Sequence, residues 1–268
     1  MTFGKSLIVL AIATFSVQQV FSQVGGISGS KLAAVCVDVV DHKKIEFEPG
    51  FYHSRATKYW DGESNLQNLY STGDSTRAVT GMYFRFTYGL WDRLEIGVSI
   101  STNLAQSSWG ARIVAFQNEK IGVAIIAGAN IPFGNGSIDQ KTRLSELLTS
   151  VGGGGVFSAN ITKNFSLDFV AQYMAFLKET ENNSKGSWYF NADLGYYFFD
   201  HQLQLIAGLG YQNAVFENFT NQILTVYPGA TIEAGKNYII VISAPFDVYG
   251  ENALKNAGIN FALTLTFD

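Results

Sequence analysis

The sequence predicts an all-β fold, a transmembrane up-and-down antiparallel β-barrel of about twelve strands. Three observations predict it: side-chain alternation with period two running to the last residue, short turns alternating with long polar connections, and an N-terminal leader of the kind that directs export. The alternation is clearest at 92–102, where Leu94, Ile96, Val98 and Ile100 share one face and Glu95, Gly97, Ser99 and Ser101 the other. Successive side chains of a strand point to opposite faces, so one face meets an apolar medium and the other a polar one.

The leader suggests that the apolar medium is lipid. Lys5 precedes an apolar stretch from Leu7 to Phe15, and Val20-Phe21-Ser22 closes it with the residues of a cleavage site. This predicts a signal peptide over 1–22, with the mature chain beginning near Gln23. Beyond it, no run reaches the roughly 18 apolar residues of a membrane helix, so any crossing is by strands. The 268 residues carry 18 basic and 22 acidic side chains, for a net charge of −4. An acidic balance of this kind argues against nucleic acid as a partner. With 47% hydrophobic residues, 27 Gly and only 4 Pro, the composition suits strands. The single Cys36 forms no intrachain disulfide, and its context is not that of a lipid-attachment cysteine.

The expected strands are 44–55, 77–90, 92–102, 109–118, 120–131, 150–161, 164–178, 186–199, 202–214, 220–232, 235–246 and 256–268. Tight turns rich in Asp, Asn, Lys and Gly join them at 91–92, 118–120, 162–164, 200–201 and 233–235. Between these lie the longer connections 56–76, 103–108, 132–149, 179–185, 215–219 and 247–255. Short periplasmic turns alternating with longer outer loops place both ends of the barrel domain, 43–268, on the periplasmic side. The stretch 23–42 ahead of it is a periplasmic stub or a lumen plug.

The faces segregate. Uncharged sets such as Ile121, Val123 and Ile125, or Trp188, Phe190, Leu194 and Tyr196, are assigned to lipid. The alternate positions carry Asp168, Gln172, Asn191, Asp193, Gln204, Gln212, Asn260, Thr264 and Thr266, mixed with glycine. An Arg or Lys on the lipid face costs about 2 to 4 kcal/mol at mid-bilayer, so the separation is a physical requirement. Pro49 removes a ladder donor and is expected near the seam between the first and last strands. The run Gly152 to Gly155 is assigned to curvature or to close approach by a plug or loop.

Catalytic signals are weak. His42, His53 and His201 are scattered over a lead, a strand top and a turn, without a nucleophile arrangement, so no enzyme activity is expected. No Cys/His spacing points to zinc and no Asp-rich loop to calcium, so neither metal nor cofactor is expected. The inward charges are the candidate site: Arg85, Glu95, Arg112, Asp168 and Asp193, with Glu46 and Glu48. Arg85, Glu95 and Arg112 fall on successive strands with one inward phase, which predicts a salt-bridged lumen constriction. Apolar Val114, Phe116, Val170, Met174, Ile239 and Val241 are placed in the same lumen. A narrow, mixed interior suits a small hydrophobic or aromatic solute better than a wide aqueous pore. The rival is a structural or surface-interaction barrel with a closed lumen, whose loop 56–76, carrying Tyr59, Trp60 and Tyr70, contacts a partner.

Three stretches carry a family resemblance: Ile45-Glu46-Phe47-Glu48-Pro49-Gly50, the run Phe84-Arg85-Phe86-Thr87-Tyr88-Gly89-Leu90-Trp91-Asp92-Arg93-Leu94-Glu95-Ile96-Gly97-Val98, and Ala207-Gly208-Leu209-Gly210-Tyr211. In these the chain resembles the bacterial outer-membrane family of phenol meta-pathway degradation proteins. The resemblance implies a transporter-like barrel in the outer membrane and transfers no catalytic residues. The ending, with Ile259, Phe261, Leu263, Leu265 and Phe267 on one face, looks like a signal for outer-membrane assembly machinery, although Asp268 follows the aromatic.

Overall fold

The computed structural model describes residues 23–29, 32–71, 75–102, 106–133, 149–177, 186–215, 220–235 and 237–268. The expected leader and most of the connection 132–149 lie outside them. Fourteen strands form one sheet: β1 (Ile45–Trp60), β2 (Leu66–Asn68), β3 (Arg77–Trp91), β4 (Leu94–Ser101), β5 (Gln106–Gln117), β6 (Ile121–Pro132), β7 (Ser150–Asn160), β8 (Phe165–Phe176), β9 (Gly186–Phe198), β10 (Leu203–Val215), β11 (Thr220–Glu233), β12 (Tyr238–Ser243), β13 (Phe246–Glu251) and β14 (Ala253–Phe267). The pairings are antiparallel, and β14 pairs with β1 from Ile45↔Phe267 to Trp60↔Ala253, which closes the sheet. Since β12 and β13 both lie between β11 and β14, they are one wall strand in two pieces. Counting them once and setting aside the short β2 gives a closed barrel of twelve. Closure removes the free sheet edges that hydrocarbon does not tolerate.

Pro49 acts where its missing N–H costs least. It pairs with Phe84 of β3, whereas on the β14 side the register passes from Phe47↔Leu265 to Gly50↔Ala262 without Glu48 or Pro49. The break between β12 and β13 falls at Ala244-Pro245, for the same reason. Beyond it the wall continues to a one-residue turn at Asn252, whose φ of 50° is the left-handed conformation asparagine tolerates. The expected long connection over 247–255 is therefore strand and turn. Its polar residues were misleading: Asp247 turns inward, accepting from Thr225 Oγ1 at 2.6 Å and from Asn256 N at 2.7 Å. The connection after β1 likewise begins only at residue 61 and contains β2.

Facing follows the alternation with one correction. Ile125, Trp188, Leu194 and Leu205 are exposed on the outer surface, while Asp168, Gln172, Asn191, Asp193 and Gln204 are buried inside. Phe116, expected in the lumen, is exposed, because a bulge between Val114 and Phe116 inserts one residue and reverses the phase. The outer surface also stacks aromatics, such as Trp188 on Phe190 at 6.0 Å between ring centroids. In the glycine run, Cβ atoms on Gly152 and Gly154 would collide with Met174 and Gln172 of β8. The close approach there comes from a neighbouring strand.

Candidate functional site

Residues 23–29 and 32–41 lie inside the barrel, in the half nearest the short turns, and they meet the wall through their backbone. Such a segment, with neither helix nor sheet, needs side-chain partners for its buried N–H and C=O groups. The wall supplies them.

Glu95 of β4 and Arg112 of β5 are Cα partners across the ladder and form the centre of this clasp. Their side chains are 0% exposed and pair at 2.9 Å. The Glu95 carboxylate accepts further bonds from Ser28 N at 2.8 Å, Ser28 Oγ at 2.5 Å and Val40 N at 2.9 Å. Arg112 donates to the carbonyls of Cys36 and Asp38 and, at 2.7 Å, to Ser28 Oγ. One ion pair thus ties the outgoing and returning limbs of the segment. A buried pair offsets its desolvation only when its remaining donors and acceptors are also satisfied, and here the segment's backbone does most of that.

Asp193 of β9 holds the other side. Its carboxylate accepts from the backbone N–H groups of Leu32, Ala33 and Ala34 at 2.9 to 3.2 Å. Asp168 of β8, its cross-strand neighbour, acts through Ser158, which donates to Asp168 at 2.5 Å and accepts from Val37 N at 2.9 Å. Thr87 donates to Gly26 O at 2.7 Å and Arg85 to Ile27 O at 3.0 Å. Val24, Ile27, Ala34 and Val37 then pack against Val114, Ala124, Ile126, Val156, Val170 and Met174. These contacts explain apolar residues on a polar face: they seat the segment.

Glycines make the room. A Cβ on Gly97 would lie 2.0 Å from Gly26 O, one on Gly110 2.2 Å from Gly25 O, and one on Gly89 2.0 Å from Asp41 O. The backbone of the segment lies directly on the backbone of the wall.

Arg85 belongs to a second network. It pairs with Glu46 and, at 2.9 Å, with Glu48 of β1. Glu48 also accepts from Tyr83 OH at 3.2 Å and Thr264 Oγ1 at 2.6 Å, so this cluster spans β1, β3 and β14 at the closing seam. The three expected constriction residues thus fall in two ion-pair networks, Glu95 with Arg112 and Arg85 with the seam acids, and Arg85 reaches the segment through Ile27 O. Sequence reasoning did not connect these charges to the stretch 23–42, whose backbone at 24–29 and 32–41 is the partner that unites them. The signal was the glycines at inward positions Gly89, Gly97, Gly110, Gly122 and Gly128.

Beside the segment a cavity of about 200 Å³ remains. Val24, Ile27, Leu32, Ala33 and Val35 form its floor, and Glu48, Arg85, Tyr52, Tyr83, Asn256 and Asn260 are among its walls. Among the described residues no group of His, Cys, Asp and Glu is arranged to hold a metal ion.

The barrel is similar to solved outer-membrane channels. It superposes on an outer membrane channel from Pseudomonas putida with a TM-score of 0.66 at 14% identity, covering 86% of this chain and 98% of that one. Against the KdgM porin in complex with disordered oligogalacturonate the TM-score is 0.52 at 8% identity, covering 84% and 99%. No family model and no curated protein matches the chain. The chain has the fold of bacterial outer-membrane channel barrels.

Proposed function

We propose that the protein is an outer-membrane channel for a small hydrophobic or aromatic solute, held shut by residues 24–41. The observation that carries this reading is the cavity beside the segment, with an apolar floor supplied by the segment and a mixed wall supplied by the barrel, where Glu48, Arg85, Asn256 and Asn260 stand beside Val241, Pro245 and Ala262. A solute with an apolar body and a polar edge meets both surfaces there. Passage then requires the segment to shift, and the bonds to Glu95, Arg112 and Asp193 set how readily it does so. This makes those residues, with Asp168 at the wall and Arg85 at the seam, the determinants of lumen access. The outward apolar face of β14 serves membrane assembly, and the resemblance to the phenol meta-pathway family agrees with an aromatic solute. We read the barrel as a conduit, not an enzyme.

Vesicles containing the refolded protein test this by uptake of small aromatic compounds. Uptake above empty lipid, increased by Glu95→Ala, supports the channel. Absence of both uptake and ion conductance in wild type and variant alike favours the rival, a closed structural barrel, which the filled lumen also accommodates.

A further inference from the structure

The hydrogen bonds at Gln23 fix the role of each atom in its side chain. Val24 N donates to Gln172 Oε1 at 2.9 Å, so Nε2 of that carboxamide is the end turned toward Gln23. A carboxamide nitrogen donates, and the Gln23 atom it meets at 3.1 Å is therefore the side-chain oxygen. Asn191 Nδ2 donates to the same oxygen at 3.1 Å. Gln23 thus holds the wall through Oε1, and none of the described residues accepts a hydrogen bond from its Nε2.

The sequence supplies a second observation. Val20-Phe21-Ser22 forms the expected cleavage site, and cutting after Ser22 leaves Gln23 with a free α-amine. We propose that the mature chain begins with a pyroglutamyl residue formed from Gln23, and that this lactam is the tip of the plug. The proposal rests on cleavage after Ser22 and is independent of what the barrel transports.

The step balances within the residue. The α-amino nitrogen attacks Cδ of the side-chain amide, an N–Cδ bond closes the five-membered ring, and the Cδ–Nε2 bond breaks. The departing nitrogen takes the proton released by the amine and leaves as ammonia, so no oxidant or co-reactant is needed. The atom lost is the one that no described residue accepts from, and the oxygen that accepts from Gln172 and Asn191 is retained as the lactam carbonyl. Ring closure also removes a charge. A free α-amine is largely cationic at neutral pH, whereas the lactam nitrogen is neutral.

The test is the intact mass of the undigested protein, exported by its own leader, extracted from outer membranes and kept cold, because glutamine freed during digestion cyclises by itself. The expected mass is that of residues 23–268 less one ammonia, with an N-terminus resistant to stepwise degradation. The full mass of residues 23–268 overturns the proposal, as does a chain beginning at any other residue. Gln23→Asn, which lacks the carbon needed for the five-membered ring, is expected at full mass. Loss of ammonia from that variant would place the reaction elsewhere and also overturn the proposal.

Discussion

Gly97 of the wall and Gly26 of the luminal segment lie backbone against backbone, so close that a Cβ on Gly97 would sit 2.0 Å from the Gly26 carbonyl oxygen. No side chain fits between them. The added Cβ would also lie 2.5 Å from the Phe86 carbonyl oxygen of β3, but the wall is held by the pairing of Gly97 with Thr87 and Gly110, so the segment, which has no ladder, yields more readily. Gly97→Ala is expected to leave the barrel folded, by heat-modifiable gel mobility, while making residues 24–41 accessible to protease. Protection equal to wild type would mean that the segment does not rest on this glycine.

Removing one partner of the Glu95–Arg112 pair has a different signature. Glu95→Ala strands the Arg112 guanidinium in a filled lumen and also removes the acceptor of Ser28 N and Val40 N. Breaking a buried pair costs about 3 to 5 kcal/mol, more than Arg85→Ala combined with removal of its seam partners Glu46 and Glu48, where no charge is stranded. Urea unfolding in lipid vesicles measures the difference. Substituting both Glu95 and Arg112 by alanine should recover part of the single-variant loss, and strict additivity would show that the pair does not act as a unit.

Facing is tested at Leu194 and Gln212. Leu194 is 41% exposed on the outer surface, and an arginine there is expected to cost about 2 to 4 kcal/mol at mid-bilayer depth. Gln212 faces the interior and donates to Tyr189 OH at 3.4 Å. Gln212→Arg should assemble with a smaller penalty, and equal penalties for the two variants would contradict the phase of β9 and β10.

Topology follows from the two ends of the barrel. Residue 65 lies in the connection after β1 and residue 163 in the turn between β7 and β8, at the end where Ile45 pairs with Phe267. In intact cells carrying Cys36→Ser, a membrane-impermeant thiol reagent should label Asn65→Cys and spare Lys163→Cys. The reverse pattern would invert the assignment of sides.

Much of this architecture is legible in the sequence because period-two alternation is a local property, and turn residues mark where each strand ends. Leu94 to Ile100, or Trp188 to Phe198, needs no knowledge of the rest of the chain. What escapes is non-local. Phe116 changes face because of one bulged residue, and Asp247 reads as loop because its acceptors are used by Thr225 and Asn256, on neighbouring strands. The charged site is half legible for the same reason. Glu95 and Arg112 show the same inward phase, but the groups that satisfy them are backbone atoms of a segment more than fifty residues earlier, with no pattern of its own. The inward glycines carried that information, and their meaning appears only when something is seen resting on them.

In the proposed channel, residues 24–41 close the lumen. Planar-bilayer conductance of the mature chain beside a form lacking residues 23–41, both first shown to be folded by heat-modifiable mobility, tests it most directly. The mature chain is expected to show a small or absent conductance and the shortened form a clearly larger, steady one. Equal conductance in the two would contradict it.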